Sequence, residues 1–140
     1  MLASWREFAV EGADFLVLVS DDGMVKIGER TITQFNGKKT YSRIAPPKNL
    51  KPIKNSSGYY QVKINFNNGE YKHFYVHRMV ASLFADNPLG LHEVDHLDGD
   101  KANNTVNNLR WVTRAQNMAK CLKDNPHILQ NLKNHRPLMV

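Results

Sequence analysis

The chain has 140 residues, 41% of them hydrophobic, enough for one compact domain or two small modules, and this excludes a large multidomain enzyme. No run approaches the ~18 apolar residues of a membrane span, and the start MLASWREFAV lacks the basic end and apolar core of a signal peptide, so a soluble cytoplasmic protein with no membrane partner is expected. Nineteen Lys and Arg against thirteen Asp and Glu give a net charge of +6, which favours a polyanionic partner, nucleic acid first, though charge alone fits a basic protein without one equally well.

Residues 15 to 44 read as short strands separated by turn signals: FLVLVS, Asp21-Asp22-Gly23, MVKI, then RTITQF and KTYSRI around Asn36-Gly37. The stretch from Ala45 to Ser57 holds three prolines together with Lys48, Lys51 and Lys54, and is expected to be a basic loop that lies along a phosphate backbone. Residues 59 to 66 then alternate, with Tyr60, Val62, Ile64 and Phe66 on one face and Tyr59, Gln61, Lys63 and Asn65 on the other. Asn67-Asn68-Gly69 turns the chain into a partner strand. The resulting ribbon has the dimensions of a major-groove reader, while a solvated strand face is an equal alternative.

From Val76 the period changes. Val76, Met79, Val80, Leu83 and Phe84 follow helical spacing, and Asp86-Asn87-Pro88 ends the helix. Arg78 beside this stripe is a candidate phosphate contact, and His77 reads as a packing residue. Residues 93 to 122, EVDHLDGDKANNTVNNLRWVTRAQNMAKCL, divide into a short strand, a loop rich in Asp, Asn and Gly, a strand NLRWV and a helix. Thr113 and Gln116 form a capping box at the helix start, and Ala115, Met118, Ala119 and Leu122 make its apolar stripe. Asn117 projects about 200° from Ala115, off the stripe, where it can face a wet cleft. A calcium loop on Asp98 and Asp100 fails, because Ala102, Asn103 and Leu109 stand where that pattern needs an oxygen ligand, Gly and Glu. Asp98, Asp100, Asn103 and Asn104 read as turn formers, and Trp111 as core.

With Asp95-His96, Asn108 in N-L-R-W-V-T, Asn117 on the following helix and YVHRMVASLF upstream, this stretch resembles the HNH endonucleases, particularly the phage homing type. A weaker similarity covers Trp5 to Ile27, which looks like the modular N-terminal segment of such enzymes. The resemblance implies a ββα-metal site that hydrolyses phosphodiesters in double-stranded DNA, leaving a 3′ hydroxyl and a 5′ phosphate. Its chemistry needs a nucleophilic water and relief of charge on the phosphate and the departing oxygen, which one base and one divalent cation supply. Asp95 offers a hard anionic ligand, and Asn117 a carbonyl oxygen. Neutral His96 suits a general base, because histidine is the side chain that exchanges protons most readily near physiological pH. By resemblance Asn108 braces the loop that carries His96. The third position is Asn117 where the eponymous pattern has His. This all-oxygen set predicts Mg²⁺ or Mn²⁺, one ion per site, over Zn²⁺ or Ni²⁺. The single Cys121 agrees, since it permits neither an internal disulfide nor a four-cysteine zinc knuckle. Adjacent residues of a regular strand point to opposite faces, so Asp95 and His96 must lie at a strand end if both are to border one cleft.

Arg110 and Arg114 flank the site as candidate phosphate contacts, joining Lys48, Lys51, Lys54, Lys63 and Arg78, with solvated faces the alternative. After Asn125-Pro126, Ile128, Leu129 and Leu132 suggest one more short helix with Lys133, His135 and Arg136 nearby. The expected organisation is α+β: a β-rich DNA-binding module over residues 1 to 74, then a nuclease unit over 75 to 124 comprising a bridging helix and the ββα-metal motif, then a tail over 125 to 140. One D-H…N…N set per chain and no heptad repeat imply a monomer that nicks one strand, as relatives of this type often do. The rivals are a phage packaging accessory nuclease active with a partner, and a catalytically idle DNA-binding module.

Overall fold

The computed structural model describes residues 2–127. The helix expected around Ile128 to Leu132, with Lys133, His135 and Arg136, lies outside them. The chain is mixed α+β with antiparallel strands throughout, as its alternating and helical patterns require.

The first sheet contains β1 (Trp5–Glu7), β2 (Val17–Ser20) and β3 (Val25–Ile27). Val17, Val19, Val25 and Ile27 turn one face inward and are buried, the period-2 signature of a half-covered sheet. The turn between β2 and β3 needs Gly23, whose φ of +89° is costly for a residue with a Cβ. Next come β4 (Arg30–Phe35) and β5 (Thr40–Ala45), which pair only with each other. Asn36 caps their turn by accepting the backbone N–H of Lys38 and of Lys39, each at 3.0 Å.

The stretch from Ala45 to Ser57 is not the irregular loop its prolines suggest. It contains β6 (Lys48–Leu50), which adds to the first sheet beside β3, and β7 (Ile53–Lys54), which pairs with β8 (Tyr60–Asn65). Pro46, Pro47 and Pro52 flank these short edge strands without interrupting them, so no ladder hydrogen bond is lost. In β8 the expected face is inward, with Val62 and Ile64 buried and Lys63 and Asn65 exposed. A hairpin over Asn67-Asn68-Gly69 leads to β9 (Tyr71–Tyr75).

Helix α1 (Val76–Phe84) follows without a break and buries Val76, Met79, Val80 and Ala81 against β2, β8 and the strands beyond. Each of these side chains contributes roughly 1 to 3 kcal/mol through removal of apolar surface from water, Ala81 the least. The last unit is β10 (Glu93–His96), β11 (Leu109–Val112) and α2 (Arg114–Asp124), with a 3-10 turn over Val106–Asn108 placing Asn108 just before β11. One apolar cluster runs from Val17, Val19, Val25 and Ile27 through Val62, Ile64, Val76 and Val80 to Val94 and Leu109. The ββα unit thus shares its core with the strands that precede it. Thr113 and Gln116 form the expected capping box. The expected apolar stripe of α2 is not a core face: Ala115, Met118 and Ala119 are exposed, and the helix meets β10 through polar side chains. Among the described residues no helix is long and apolar enough to cross a membrane.

Candidate active site

The β10–β11 register sets Asp95 opposite Arg110 and His96 opposite Leu109, and His96 is the last residue of its strand. Both side chains are buried, to 6% and 5% exposure. Strand alternation sends Asp95 toward α2 and His96 toward Tyr59 and His77, yet because the strand ends there both border one cleft of about 260 Å³. Tyr59, Lys101, Asn117 and Lys120 line it as well.

The Asp95 carboxylate is gripped on both oxygens: Oδ1 lies 3.0 Å from Lys120 Nζ, and Oδ2 lies 3.3 Å from Arg110 Nε. Lys120 Nζ also donates to the carbonyl of His96. Asn117 stands one turn into α2 and donates its Nδ2 to Glu93 Oε2 at 2.8 Å, which leaves its carbonyl oxygen with no partner among the described residues. A buried carboxylate that gathers positive charge, beside a spare amide oxygen in the same cleft, is a donor set that fits a hard divalent cation. Among the described residues no group of three or more His, Cys, Asp or Glu side chains converges. Asp95 and Asn117 are thus the side chains in the cleft that could hold such an ion.

The loop from Leu97 to Asn107 is built on side-chain-to-backbone bonds. Asp98 Oδ1 accepts the N–H of Asp100 at 2.8 Å, and Asp100 Oδ1 accepts that of Ala102 at 2.9 Å, so Asp and Asn here do form turns. Asn108 closes the loop: its Oδ1 accepts the Asp98 N–H at 3.1 Å, and its Nδ2 donates to the Asn103 carbonyl and to Asp98 Oδ1, each at 2.9 Å. The hydrogen bond from Asn103 is foremost in holding the exposed Asp98 carboxyl down at about 2. Asn104 differs from its neighbours. It is buried, and its Oδ1 lies 2.8 Å from His96 Nε2.

On the other side of His96 is a stack of rings. His77 lies against Tyr59 at 5.0 Å between centroids and 5.1 Å from the His96 ring. Burial, then the neighbouring His96, lowers the His77 pKa to about 4, so it packs as a neutral ring. Burial also raises the Tyr59 phenol above its ordinary range, with the Asp95 charge adding to the effect.

A family profile described as HNH endonuclease matches residues 74–119. The chain is 35% identical over 102 residues to the DNA endonuclease I-HmuI of Bacillus phage SP01, covering 66% of this chain and 56% of that protein. It is 41% identical over 76 residues to the uncharacterized HNH endonuclease L245 of Acanthamoeba polyphaga mimivirus, covering 54% of this chain and 23% of the other. The solved structure titled "DNA binding and cleavage by the HNH homing endonuclease I-HmuI" superposes with a TM-score of 0.60 at 30% identity, covering 93% of this chain and 66% of that one. The chain belongs to the HNH endonuclease family. It spans less than two thirds of the length of both curated relatives.

In this HNH chain the basic residues singled out from sequence scatter. Lys48 and Lys54 stand on β6 and β7, with Lys51 between them, all exposed. Lys63 lies over the Tyr71 ring at 4.2 Å. Arg78 donates to the His92 carbonyl at 2.7 Å and so ties α1 to the approach to β10. Arg110 is engaged with Asp95, and Arg114 is exposed at the first turn of α2. The more isolated two-stranded ribbon is β4–β5, not β8–β9, one face of which is core. It carries Arg30, Lys38, Lys39 and Arg43 with no acidic residue between Arg30 and Ala45, and exposes Phe35 and Tyr41.

Besides Lys101, four residues in or beside the cleft are not assigned to it from sequence: Lys120, Glu93, Tyr59 and Asn104. Lys120 was findable, since it lies three residues after Asn117 on the same helical face. Glu93 lies two residues before Asp95 and shares its strand face. Tyr59 leaves no local signal, because only the tertiary fold brings it to His96, and Asn104, eight residues from His96 in the same loop, is hidden among turn-forming Asp and Asn residues.

Proposed function

We propose that this HNH chain is a metal-dependent endonuclease that nicks double-stranded DNA as a monomer, with residues up to 74 serving mainly to bind DNA and residues 75–124 to cut it. The observation that carries the reading is the convergence of Asp95, His96 and Asn117 on one cleft, a base beside two hard oxygen donors. The names of the relatives, an endonuclease of DNA among them, support it.

In this reading Asp95 and Asn117 hold a Mg²⁺ or Mn²⁺ ion, which when bound neutralises charge on the scissile phosphate and the departing 3′ oxygen. His96 takes a proton from the attacking water as its oxygen bonds to phosphorus. The P–O3′ bond breaks, the 3′ oxygen takes up a proton from solvent, and a 5′ phosphate remains. Asn108 keeps the His96 loop in place through its three hydrogen bonds. The β4–β5 ribbon, with four cations and dimensions suited to a major groove, and the lysines of 48 to 54 supply phosphate contacts. Glu93 orients Asn117 by accepting its amide N–H.

The test is supercoiled plasmid incubated with the protein in EDTA and over a titration of Mg²⁺ or Mn²⁺. Open circles should form only with metal. Asp95→Ala and Asn117→Ala should raise the metal concentration needed for half-maximal rate. Cleavage that persists in EDTA, or unchanged metal titrations in both variants, would reject the ligand assignment.

A further inference from the structure

We infer that Asn104 is the positioning residue of the base: its side-chain oxygen holds His96 in the tautomer protonated at Nε2, leaving Nδ1 as the atom that accepts a proton in the cleft. Its effect on rate rests on the nuclease reading above, but the tautomer does not.

The argument starts from donor chemistry. The bond between His96 Nε2 and Asn104 Oδ1 measures 2.8 Å, and both residues are buried. An amide oxygen only accepts, so Nε2 must carry the hydrogen, and in a neutral imidazole Nδ1 then keeps its lone pair. Nδ1 bonds nothing among the described residues, and no buried side-chain nitrogen or oxygen among them lacks a hydrogen-bond partner. The unpartnered Nδ1 edge is therefore the one that meets solvent in the cleft. The His96 ring is flanked by His77 at 5.1 Å and Tyr59 at 6.1 Å between centroids.

Asn104 is itself fixed from the N-terminal sheet. A Cβ on Gly23 would stand 3.1 Å from the Asn104 Cβ, and the Val106 N–H donates to the Asp21 carbonyl at 2.8 Å. The β2–β3 turn thus backs the strip of loop that orients the base. In a neutral histidine free in water both tautomers are populated. Fixing one is how a partner at the far nitrogen prepares an imidazole for its task, and for metal-binding histidines losing that partner costs roughly 10- to 100-fold in activity or metal affinity, the scale taken for His96.

The tautomer is read by ¹⁵N NMR of the imidazole nitrogens in metal-free protein at about pH 8.5, where an ordinary histidine is neutral. In the wild type, Nε2 should show the protonated shift and Nδ1 the unprotonated one. Asn104→Ala should move both shifts toward the tautomer mixture of a histidine free in water, in which the Nε2–H form is the larger part, and Asn104→Asp, whose carboxylate also only accepts, should keep the wild-type values. On plasmid, Asn104→Ala should lower kcat by roughly 10- to 100-fold with KM little changed, and Asn104→Asp should recover most of the loss. A wild-type spectrum with the proton on Nδ1 overturns the inference whatever Asn104→Ala does to folding. So does a folded Asn104→Ala with unchanged shifts and kcat. A wild type that shows the expected tautomer but leaves plasmid intact upholds the placement of the proton and removes the nuclease reading instead.

Discussion

Replacing Lys120 by Met should tighten divalent-ion binding in the absence of DNA. The Lys120 ammonium sits 3.0 Å from Asp95 Oδ1, and the two side chains are 24% and 8% exposed. At an effective dielectric constant near 20, unit charges at that separation attract by about 5 to 6 kcal/mol before desolvation is counted. Desolvation and side-chain ordering cancel most of that, leaving about 1 to 2 kcal/mol for a partly exposed pair. An incoming ion must displace this ammonium or share the carboxylate with it, so removing the charge should lower the Mn²⁺ Kd by about 5- to 30-fold. Met keeps the length of the aliphatic stem while deleting only the cation. The assay is Mn²⁺ titration followed by calorimetry or by the electron paramagnetic resonance signal of free Mn²⁺, with Lys123→Met, on the same helix, as control. A Kd that stays the same or rises in Lys120→Met would refute the view that Asp95 is the metal ligand and Lys120 its competitor.

His77 gives a pH signature. Its folded pKa of about 4 lies below the ordinary 6.5, so as pH falls through that window the unfolded chain binds a proton that the folded one refuses. The corresponding stability is present above pH ~6.5 and drains by up to about 1.4 kcal/mol per pH unit until the folded pKa is reached; denaturant unfolding of wild type and His77→Phe should show a shallower decline in the variant, and parallel curves would contradict the burial argument. Asn108→Ala leaves the Asp98 N–H and the Asn103 carbonyl without their partner, so it should cost about 2 to 3 kcal/mol, read from the denaturant midpoint, along with activity. An inactive variant with an unchanged midpoint would instead give Asn108 a direct part in the chemistry. DNA affinity measured without metal should fall steeply with salt, and Lys38→Ala/Lys39→Ala/Arg43→Ala should reduce the slope of log K on log salt by about 3 if each cation meets a phosphate. An unchanged slope would take the β4–β5 ribbon out of the DNA interface.

What sequence made legible follows from how local each signal is. Strands β2, β3, β4, β5 and β8, helix α1 and the capped start of α2 are written in alternation, helical spacing and turn residues within a dozen positions, and all were readable. Strands β6 and β7 were hidden because prolines mask short edge pairings that only distant partners, β3 and β8, reveal. The stripe on α2 misled because helical spacing of apolar residues shows a potential face but not what covers it, and the helix docks instead through Asn117 and Lys120. At the cleft, Asp95, His96 and Asn117 could be named from spacing within one motif. Tyr59, just before β8, could not, since only the tertiary fold brings it to His96, and Asn104, eight residues from His96, could not because its turn-forming residue type does not show that its side chain turns inward to the ring.

The account stands most directly on the rate at which His96→Ala cuts supercoiled plasmid under saturating Mg²⁺. Wild type should accumulate open circles well before linear DNA, at a rate first order in protein. His96→Ala should be slower by roughly 10² to 10⁴ with DNA affinity nearly unchanged, the usual worth of a general base. A variant that nicks at near wild-type rate, or a wild type that yields linear DNA without a nicked intermediate and with a rate rising as the square of protein concentration, would contradict it.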